Sequence, residues 1–426
     1  MKLCDEEKRM LGGELGPGVQ RAMELLIAVG EAYGAERMIR ITSCHLVPPD
    51  LQLWTTGQTG KWARELVTES VEGAECFRVN TTINPVIFDP DLLLKFGYPK
   101  FYVDEMKICI AGGMELYRRL GVIPTYTCCP FFSRVFREGE HLGAAETTVV
   151  LFLNSILGAM TNRESGPTAL AAALTGRTPL YGMHLRENRL GQVLVEFKDN
   201  LSLKEFTYAD YSALGYYVGG RAMDKIPVYT GLPSNVSMTE LLYFSCAHSG
   251  RGGVSMIHAV GVTPEAPTAE TAFGGKKPVA TIEVGKEELE SVFETLCSAS
   301  EEKVNYVLLG CPHATLEQIR EVARLLSGKR VHNDITLILA TSEPVYALAK
   351  KMGLIDVITE AGGFAVSGLC SIGFPRRAVP PGFEIGVIAT DGSVAAHLLR
   401  VAGLQVWYGS MDQCIGAAIK GKWEFN

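Results

Sequence analysis

The feature that most constrains the fold is an alternation of helical and strand-like segments between residues 286 and 370. Apolar residues recur at helical spacing and then in short continuous runs. Helices that alternate with strands are typical of a parallel sheet covered by helices. The sequence therefore predicts an α/β protein with parallel βαβ layers, whose clearest segments are helices at 287–298 and 316–326 and strands at 305–309 and 335–340.

Composition and charge narrow the class of protein. The 426 residues are 47% hydrophobic and 20% charged, which is typical of globular proteins and not of disordered chains. A net charge of −7 has the wrong sign for binding phosphates, so we expect no nucleic-acid partner. The most apolar run, 147–160, contains Asn154 and is too short to span a membrane. We expect it to form a buried helix, and we expect no membrane partner.

The amino-terminal end and the cysteines indicate a compartment. Residues 1–10 mix acidic and basic side chains and lead into no apolar run, so neither a secretory signal nor a mitochondrial presequence is predicted. The 11 cysteines are scattered except for the adjacent Cys128 and Cys129. We therefore expect a cytoplasmic protein with reduced thiols, which serve as core residues, metal ligands or nucleophiles.

Three strand-like runs in the first third of the chain end in polar or thiol side chains. Residues 37–42 lead into Cys44 and His45, residues 76–82 lead to Asn84, and residues 121–127 lead to Cys128. Ligands of α/β enzymes bind at the carboxyl ends of parallel strands. His45 and Asn84 are therefore candidate substrate-binding residues.

Three cysteines, Cys128, Cys311 and Cys370, each follow a predicted strand. Three thiolates that meet at one sheet edge would suit an iron-sulfur cluster, and an iron without a protein ligand can act as a Lewis acid on a substrate hydroxyl. Two other interpretations stay open. Cysteines are often core residues, and Cys128 or Cys129 could be a nucleophile with His141 as its base.

Residues 138–189 are rich in side chains that carry out acid–base and anion-binding chemistry. Arg163 and Arg177 lie in turn-like stretches from which a guanidinium could clamp a carboxylate or phosphate, or could cap a helix. His141 and Glu146 are five residues apart, which predicts an ordinary helix face for them. Asn154, inside an apolar helix, needs hydrogen-bond partners. The candidates for catalysis in this stretch are His141, Glu146, Asn162, Arg163 and Glu164.

Together these segments resemble the aconitase X family, specifically its large catalytic subunit, through nearly the whole chain. The motifs that carry the resemblance are Gly16-Pro17-Gly18-Val19-Gln20, Pro124-Thr125-Tyr126-Thr127-Cys128, Gly139-Glu140-His141, Asn154-Ser155, Thr161-Asn162-Arg163-Glu164, Leu174-Thr175-Gly176-Arg177-Thr178-Pro179, Val260-Gly261-Val262-Thr263-Pro264-Glu265-Ala266 and Gly310-Cys311-Pro312-His313.

The resemblance implies an aconitase-like, three-lobed α/β body without its swivelling lobe, which a separate small subunit would supply. We expect lobes at 1–205, 206–285 and 286–426. It also implies a hydro-lyase with an iron-sulfur cluster, [4Fe-4S] or [2Fe-2S], whose ligands are Cys128, Cys311 and Cys370. The expected substrate is a small β-hydroxy acid, because family members dehydrate cis-3-hydroxy-L-proline or mevalonate 5-phosphate. The residues expected to bind it are His45, Asn84, Arg177 and Ser393.

Two segments depart from the family pattern. Ser367-Gly368-Leu369 precedes the third cysteine where an acidic or threonine-rich lead is usual, and Asp391-Gly392-Ser393-Val394 stands where the family has Asn-Ser-Ala-Lys. A lysine is therefore missing at Val394, which leaves open a different hydroxy acid or a catalytically silent scaffold. Residues 164–173 look closer to the bacterial hydroxyproline enzymes and favour cis-3-hydroxy-L-proline over mevalonate 5-phosphate.

Overall fold

A computed structural model describes residues 1–48, 65–86, 89–373 and 384–425. The chain divides into two compact units, Met1–Leu190 and Gly191–Asn426, which we call the N-terminal and C-terminal units. The division into 1–205, 206–285 and 286–426 stays a prediction. Within the described ranges, no helix has both the length and the apolar character that a membrane crossing requires.

The N-terminal unit contains a short parallel sheet. The strands of this unit are β1 (Met38–Arg40), β2 (Ser43–Leu46), β3 (Asn80–Ile83), β4 (Gly143–Ala144) and β5 (Arg177–Pro179). Strands β3, β2 and β4 form the sheet in that order, and β1 pairs with β5 in antiparallel fashion. Its helices are Asp5–Leu11, Pro17–Ala32, Pro90–Lys95, Lys100–Arg119, Thr147–Ser155 and Gly166–Thr175, with a further helical segment at 65–70.

The predicted Gly-Pro entry to a helix is confirmed. Pro17 begins the Pro17–Ala32 helix and Gly16 precedes it with φ of 98°, a conformation that suits glycine. A Cβ at Gly16 would also lie 2.4 Å from the carbonyl oxygen of Gly73, so the chain passes too closely for a side chain. The buried face of this helix belongs to the same core as the Gly166–Thr175 helix and β2.

Two strand predictions in the N-terminal unit are wrong. Residues 121–127 form no strand, and only an isolated bridge joins Ile123 to Thr82. The pairing stops because the N–H of Thr125, the next donor that could face β3, turns back to the carbonyl oxygen of Ile123 at 2.8 Å. The predicted strand at 37–42 contains β1, but Cys44 and His45 do not lie in a loop after it. They lie inside the next strand, β2, where they pair with Thr81 and Thr82 of β3. Asn84 does follow β3, as predicted.

The C-terminal unit contains two parallel sheets. Strands β6 (Val193–Phe197), β7 (Pro227–Tyr229), β8 (His258–Ala259) and β9 (Ala280–Val284) form a sheet in the order β8-β7-β6-β9. Strands β10 (Tyr306–Ala314), β11 (Thr336–Thr341), β12 (Phe364–Ser367), β13 (Val387–Thr390) and β14 (Gln405–Tyr408) form the other in the order β12-β11-β10-β13-β14. The helices are Tyr208–Ala222, Met238–Arg251, Ala269–Phe273, Lys286–Leu296, Leu316–Leu326, Glu343–Lys351, Leu354–Glu360, Ser393–Val401 and Met411–Lys420.

The helix and strand alternation between residues 286 and 370 is confirmed. In the five-stranded sheet every pairing is parallel. The Leu316–Leu326 helix begins at Thr315, whose hydroxyl accepts a hydrogen bond from the N–H of Gln318 in a capping box. Its apolar side packs into a core shared with β10 and β11. The α/β class with parallel layers is therefore correct.

The position of Cys311 differs from the prediction. Strand β10 does not end before it but continues to Ala314, with an irregular register between Leu309 and Ala314. Gly310 permits this irregularity, because its φ is 89° and a Cβ there would lie 2.1 Å from the carbonyl oxygen of Ala340. Cys370 follows β12, as predicted.

Candidate functional site

His45, in β2 of the N-terminal unit, is hydrogen-bonded to Thr82 of β3 and to Asn84, which follows β3. Its Nε2 donates to Oδ1 of Asn84 at 3.1 Å, so its Nδ1 is free of a proton and accepts from the Thr82 hydroxyl at 2.8 Å. Burial lowers the pKa of His45 to about 4. The imidazole is therefore neutral near pH 7, and both ring nitrogens and the Asn84 oxygen have hydrogen bonds within the chain.

Glu146 and Arg163 lie near each other at the carboxyl end of β4. Glu146 is the N-cap of the Thr147–Ser155 helix, where it accepts from the N–H of Val149 at 2.8 Å, and Arg163 pairs with Ala144 in a parallel bridge. Burial raises the pKa of Glu146, although the Val149 N–H and the Arg163 charge oppose that rise. The predicted helix face for Glu146 and His141 is wrong, because Glu146 caps the helix and His141 precedes it in a bridge to Met160.

Arg189 fixes the other end of the same helix. Its side chain is 1% exposed, and it donates to the carbonyl oxygens of Asn154 at 2.9 Å and Ala159 at 3.1 Å. A guanidinium at a helix carboxyl terminus is favoured by the helix dipole. Asn154 completes this joint by exchanging two hydrogen bonds of 2.9 Å with the backbone of Thr161. The sequence analysis missed Arg189, whereas the expected structural hydrogen bonds of Asn154 are confirmed.

Asn162 and Glu164 are buried on either side of Arg163 and differ in their bonding. Asn162 accepts from the N–H of Met183 at 2.7 Å and donates to the carbonyl oxygen of Tyr181 at 3.2 Å. The side chain of Glu164 is hydrogen-bonded to Thr168, but its Oε1 has no partner among the described residues. Burial raises the pKa of Glu164. Asn162 therefore holds a loop in place, whereas one carboxylate oxygen of Glu164 has no hydrogen bond among the described residues.

His141 contacts a second histidine that the sequence analysis missed. Nδ1 of His141 lies 3.1 Å from Nδ1 of His184, so one nitrogen carries the shared proton. Burial lowers the pKa of His184 to about 3, and burial together with the charge of Arg189 lowers the pKa of His141. Both rings are therefore neutral near pH 7. No motif marked His184, since it lies in a single turn at Gly182–His184.

Arg177 is bound by carboxylates of its own unit. Its Nε donates to Glu7 at 3.0 Å and its Nη2 donates to Glu6 at 2.6 Å. The guanidinium and Glu7 are buried, whereas Glu6 is half-buried. Its role in binding substrate stays a prediction, but the contacts favour a structural role that ties the Asp5–Leu11 helix to β5.

In the C-terminal unit, the segments that contain Cys311 and Cys370 lie side by side. Nε2 of His313 donates to the carbonyl oxygen of Leu369 at 2.9 Å, and the hydroxyl of Ser371 donates to the carbonyl oxygen of Gly310 at 3.4 Å. These two hydrogen bonds flank the cysteines on both sides. The two predicted ligands of this unit are therefore brought together at the carboxyl edge of the five-stranded sheet.

A buried acid lies at the end of β13, beside β10. Asp391 is 1% exposed, and its Oδ2 accepts from the hydroxyl of Tyr243 at 3.1 Å. Gln318 donates to that tyrosine oxygen at 2.8 Å. Oδ1 of Asp391 has no hydrogen-bond partner in the described part of the chain, and burial raises the pKa of the carboxyl to about 7. A Cβ at the neighbouring Gly392 would lie 2.3 Å from the carbonyl oxygen of Cys311, which brings this loop against β10.

Two buried hydroxyls at the same edge share this property. Ser342 follows β11 and Thr390 ends β13, and neither hydroxyl oxygen has a partner in the ranges that the structure describes. The strand order places β11 and β13 on either side of β10. Ser393 differs, because its hydroxyl exchanges hydrogen bonds with Ser212 at 2.8 and 3.1 Å. A role of Ser393 in binding substrate stays a prediction, and its contacts are those of a packing residue.

The donor chemistry of the three predicted ligands fits an iron-sulfur cluster. Cys128, Cys311 and Cys370 are reduced and half-buried, and thiolates are the usual ligands of such clusters. Cys128 lies in the N-terminal unit and the other two in the C-terminal unit. In the part of the chain that the structure describes, no group of three metal-binding side chains is assembled.

Family models match the chain along most of its length. The first domain of aconitase X matches residues 1–187, the second domain residues 191–294 and the third domain residues 304–420. The first boundary coincides with the division between the two units at residues 190 and 191.

Known proteins of similar sequence are dehydratases. The phosphomevalonate dehydratase large subunit of Thermococcus kodakarensis is 34% identical over 98% of this chain and 100% of its own length. The cis-3-hydroxy-L-proline dehydratase of Pseudomonas aeruginosa is 33% identical over 98% of this chain and 70% of its own length.

A solved structure agrees with these relatives. The crystal structure of Thermococcus kodakaraensis aconitase X in its holo-form matches with a TM-score of 0.83 and 33% identity, over 98% of this chain and 100% of that chain. The fold, the motifs and the relatives agree along the sequence. The chain is therefore a hydro-lyase and belongs to the aconitase X family.

Proposed function

We propose that the chain is the large subunit of an iron-sulfur-dependent dehydratase that acts on a small β-hydroxy carboxylic acid, with cis-3-hydroxy-L-proline as the substrate. The observation that carries this proposal is the pairing of the Cys311 and Cys370 segments at the carboxyl edge of a parallel sheet. That edge is the usual ligand-binding position of such sheets.

Cys128, Cys311 and Cys370 would hold the cluster, either [4Fe-4S] or [2Fe-2S]. When bound, the cluster supplies a Lewis acid that takes the leaving hydroxyl of the substrate. Half-buried thiols suit this task, because they are shielded from bulk water and still within reach of a substrate.

Glu146 and Arg163 are the proposed catalytic pair of the N-terminal unit. Arg163 is exposed and its guanidinium can bind the substrate carboxylate through two parallel hydrogen bonds. The ionised Glu146 removes the proton from the carbon next to that carboxylate. A raised pKa makes it a better base near neutral pH than an ordinary glutamate. Asn162 and Glu164 flank Arg163 and orient its loop, and His141 with His184 is a neutral pair of the same unit.

A separate small subunit is the proposed partner. The relatives that this chain matches over their full length are named large subunits, and the hydroxyproline dehydratase of Pseudomonas aeruginosa extends beyond the matched region by about a third of its length. The small subunit would supply the lobe that closes the site. A cytoplasmic location stays a prediction.

The charge of the carboxyl edge favours an amino acid over a phosphorylated substrate. The buried Asp391 lies at this edge, and Val394 stands where the family has a lysine. Once Asp391 ionises, above its pKa of about 7, it would repel a phosphate dianion and attract an ammonium. Mevalonate 5-phosphate is the second candidate, because the full-length relatives are named for it.

The cluster is tested by anaerobic purification of the chain with its small subunit, followed by measurement of iron, acid-labile sulfide and the visible spectrum. We expect a brown wild type, a bleached Cys311→Ala variant, and a Cys246→Ala control that keeps its colour because Cys246 is buried in a helix elsewhere in the unit. A colourless, iron-free wild type after reconstitution would overturn the proposal and favour a thiol-nucleophile hydrolase or a silent scaffold.

The substrate and the base are tested by turnover. The loaded enzyme is given cis-3-hydroxy-L-proline or mevalonate 5-phosphate, and water loss is followed by NMR. We expect turnover of the amino acid and a loss of 100-fold or more in kcat for Glu146→Gln, on the order of a removed general base. Turnover of mevalonate 5-phosphate alone would reject cis-3-hydroxy-L-proline as the substrate and would still support the dehydratase activity. An iron-loaded protein that turns over neither would reject the activity.

A further inference from the structure

Cys128 and Cys129 hold their two thiols on the same side of the chain. Their Sγ atoms lie 3.9 Å apart, although side chains of adjacent residues in an extended segment point to opposite sides. The backbone at Cys129 has φ of −128° and ψ of 57°, and its N–H donates to the hydroxyl of Thr127 at 3.0 Å. This turn brings the two sulfur atoms to within about 2 Å of bonding distance.

The two thiols differ in their access to solvent. Cys128 is half-buried, whereas Cys129 is 1% exposed and precedes the single turn Pro130–Phe132. Redox-sensitive sites commonly combine an accessible thiol, which an oxidant attacks, with a neighbouring cysteine that resolves the product. Cys128 fits the first role and Cys129 the second.

We propose that Cys128 and Cys129 form a vicinal disulfide when a peroxide oxidises the cluster-free chain, so that this pair is a reversible modification site. The consequence for the enzyme rests on the proposed function, because the disulfide would remove Cys128 from the set of cluster ligands.

The chemistry proceeds in two steps. The Cys128 thiolate attacks hydrogen peroxide, the O–O bond breaks, and Cys128 becomes a sulfenic acid while the leaving hydroxide takes up the proton that the thiol had released and forms one water. The Cys129 thiol then attacks the Cys128 sulfur, the S–O bond breaks, and a second water leaves. The two thiols lose two electrons and two protons, and one peroxide is reduced to two waters.

The bond between adjacent residues is strained and therefore easily reduced. Consecutive Cα atoms are about 3.8 Å apart, whereas the Cα atoms of ordinary disulfides are about 4.4 to 6.8 Å apart. Strained disulfides are the labile and regulatory ones. A dithiol should therefore restore both thiols, and with them the ability to take up iron.

The experiment uses the full chain, freed of iron, and the tryptic peptide at 120–134, which contains these two cysteines and no other. The chain is treated with hydrogen peroxide, and its remaining thiols are alkylated with iodoacetamide. After digestion with trypsin, the mass of the peptide is measured by mass spectrometry. We expect a wild-type peptide that has lost two hydrogens and carries no alkyl group. After treatment with dithiothreitol it should carry two alkyl groups.

Cys129→Ser removes the resolving thiol and keeps Cys128. Its peptide should carry a sulfenic acid that dimedone traps, whereas Cys246→Ser should form the disulfide as the wild type does. Overoxidised Cys128 in the wild type, or a disulfide from Cys128 to a cysteine outside the peptide, would overturn the proposal. If dimedone traps no sulfenic acid in Cys129→Ser although the wild type forms the disulfide, the order of attack is overturned.

Iron uptake separates this proposal from the proposed function. The reduced chain should reconstitute with iron and sulfide, and the oxidised chain should take up at least tenfold less. A reduced chain that takes up no iron would overturn the proposed function and leave the modification site in place. Equal uptake by both forms would overturn the regulatory consequence.

Discussion

Two sheet edges, that of β2 and β3 in the N-terminal unit and the carboxyl edge of the five-stranded sheet in the C-terminal unit, differ in how their buried polar groups are bonded. In the N-terminal unit, His45, Thr82 and Asn84 satisfy one another at β2 and β3. In the C-terminal unit, one oxygen of Asp391 and the hydroxyl of Ser342 have no hydrogen-bond partner among the described residues. Both edges are buried, so exposure to water does not explain the difference.

The difference teaches which polar groups hold the fold and which are kept for another partner. Leaving a buried polar group without a hydrogen bond costs about 1–3 kcal/mol. A stable protein keeps such a group where a ligand or water completes it. The β2 and β3 edge is therefore structural in character, and the carboxyl edge beside Cys311 is the better candidate for chemistry.

The largest effect on stability is expected at Arg189, a buried residue of the N-terminal unit with several hydrogen bonds. Arg189→Met removes a buried cation that binds the carbonyl oxygens of Asn154 and Ala159. We expect a loss of roughly 3–5 kcal/mol in the free energy of unfolding, measured by urea denaturation. Arg186→Met is the matched control, because Arg186 is exposed. A loss below about 1 kcal/mol at Arg189 would mean that the helix end does not need this cation.

The next effect is expected at Asp391 and depends on pH. Its folded-state pKa of about 7 lies above the ordinary value of 3.8. Below pH 4 the carboxyl is protonated whether the chain is folded or not. Between pH 4 and 7 the unfolded chain releases the proton and the folded chain keeps it, so stability falls as pH rises. At about 1.4 kcal/mol per pH unit the total is at most roughly 4 kcal/mol.

Asp391→Asn removes this titration. We expect the variant to be as stable as the wild type at pH 4.5, or less stable, and to gain on it by up to roughly 4 kcal/mol at pH 8. Urea unfolding at both pH values measures the gain, and Asp356→Asn on an exposed helix face is the control. A constant difference between variant and wild type would show that Asp391 has a partner that keeps it ionised.

Local patterns predicted much of the fold and little of this contrast. The helices and strands between 286 and 370 followed from spacing and capping, and Cys370 was correctly placed after β12. The expected strand at 121–127 is absent, because a local turn takes the N–H of Thr125 back to the carbonyl oxygen of Ile123, which residue spacing does not show.

The partners of the site residues could not be predicted, because they lie far away in the sequence. Arg177 binds Glu6 and Glu7 across 171 and 170 residues, and the two cysteine segments meet across 56 residues. Backbone carbonyls, which hold Arg189, leave no trace in side-chain spacing. The resemblance to a family named the three cysteine ligands, but it did not distinguish a fully paired group, such as Ser393, from a group with one unpaired atom, such as Oδ1 of Asp391.

A smaller effect is expected at Asn84, at the β2 and β3 edge, where the buried polar groups are hydrogen-bonded to one another. Asn84→Ala leaves Nε2 of His45 buried without an acceptor, and we expect a loss of about 1–3 kcal/mol in the free energy of unfolding. Asn80→Ala, at an exposed asparagine of β3, is the control. If Asn84 binds substrate instead, KM should rise at least tenfold while stability changes little.

The smallest effect is expected at Ser393. This residue lies in the C-terminal unit, but its hydroxyl has hydrogen-bond partners within the chain, as the polar groups of β2 and β3 do. Ser393→Ala should cost about 1 kcal/mol, because its hydroxyl exchanges hydrogen bonds only with Ser212 in the contacts described. Ser212→Ala should cost a similar amount, and the double variant should cost less than the sum, since both changes remove the hydrogen bond between the two hydroxyls. Urea unfolding of the four proteins measures this coupling. If the two stability losses are strictly additive and Ser393→Ala raises KM, Ser393 is a substrate ligand. The carboxyl edge of the C-terminal sheet would then use a residue that already has hydrogen-bond partners.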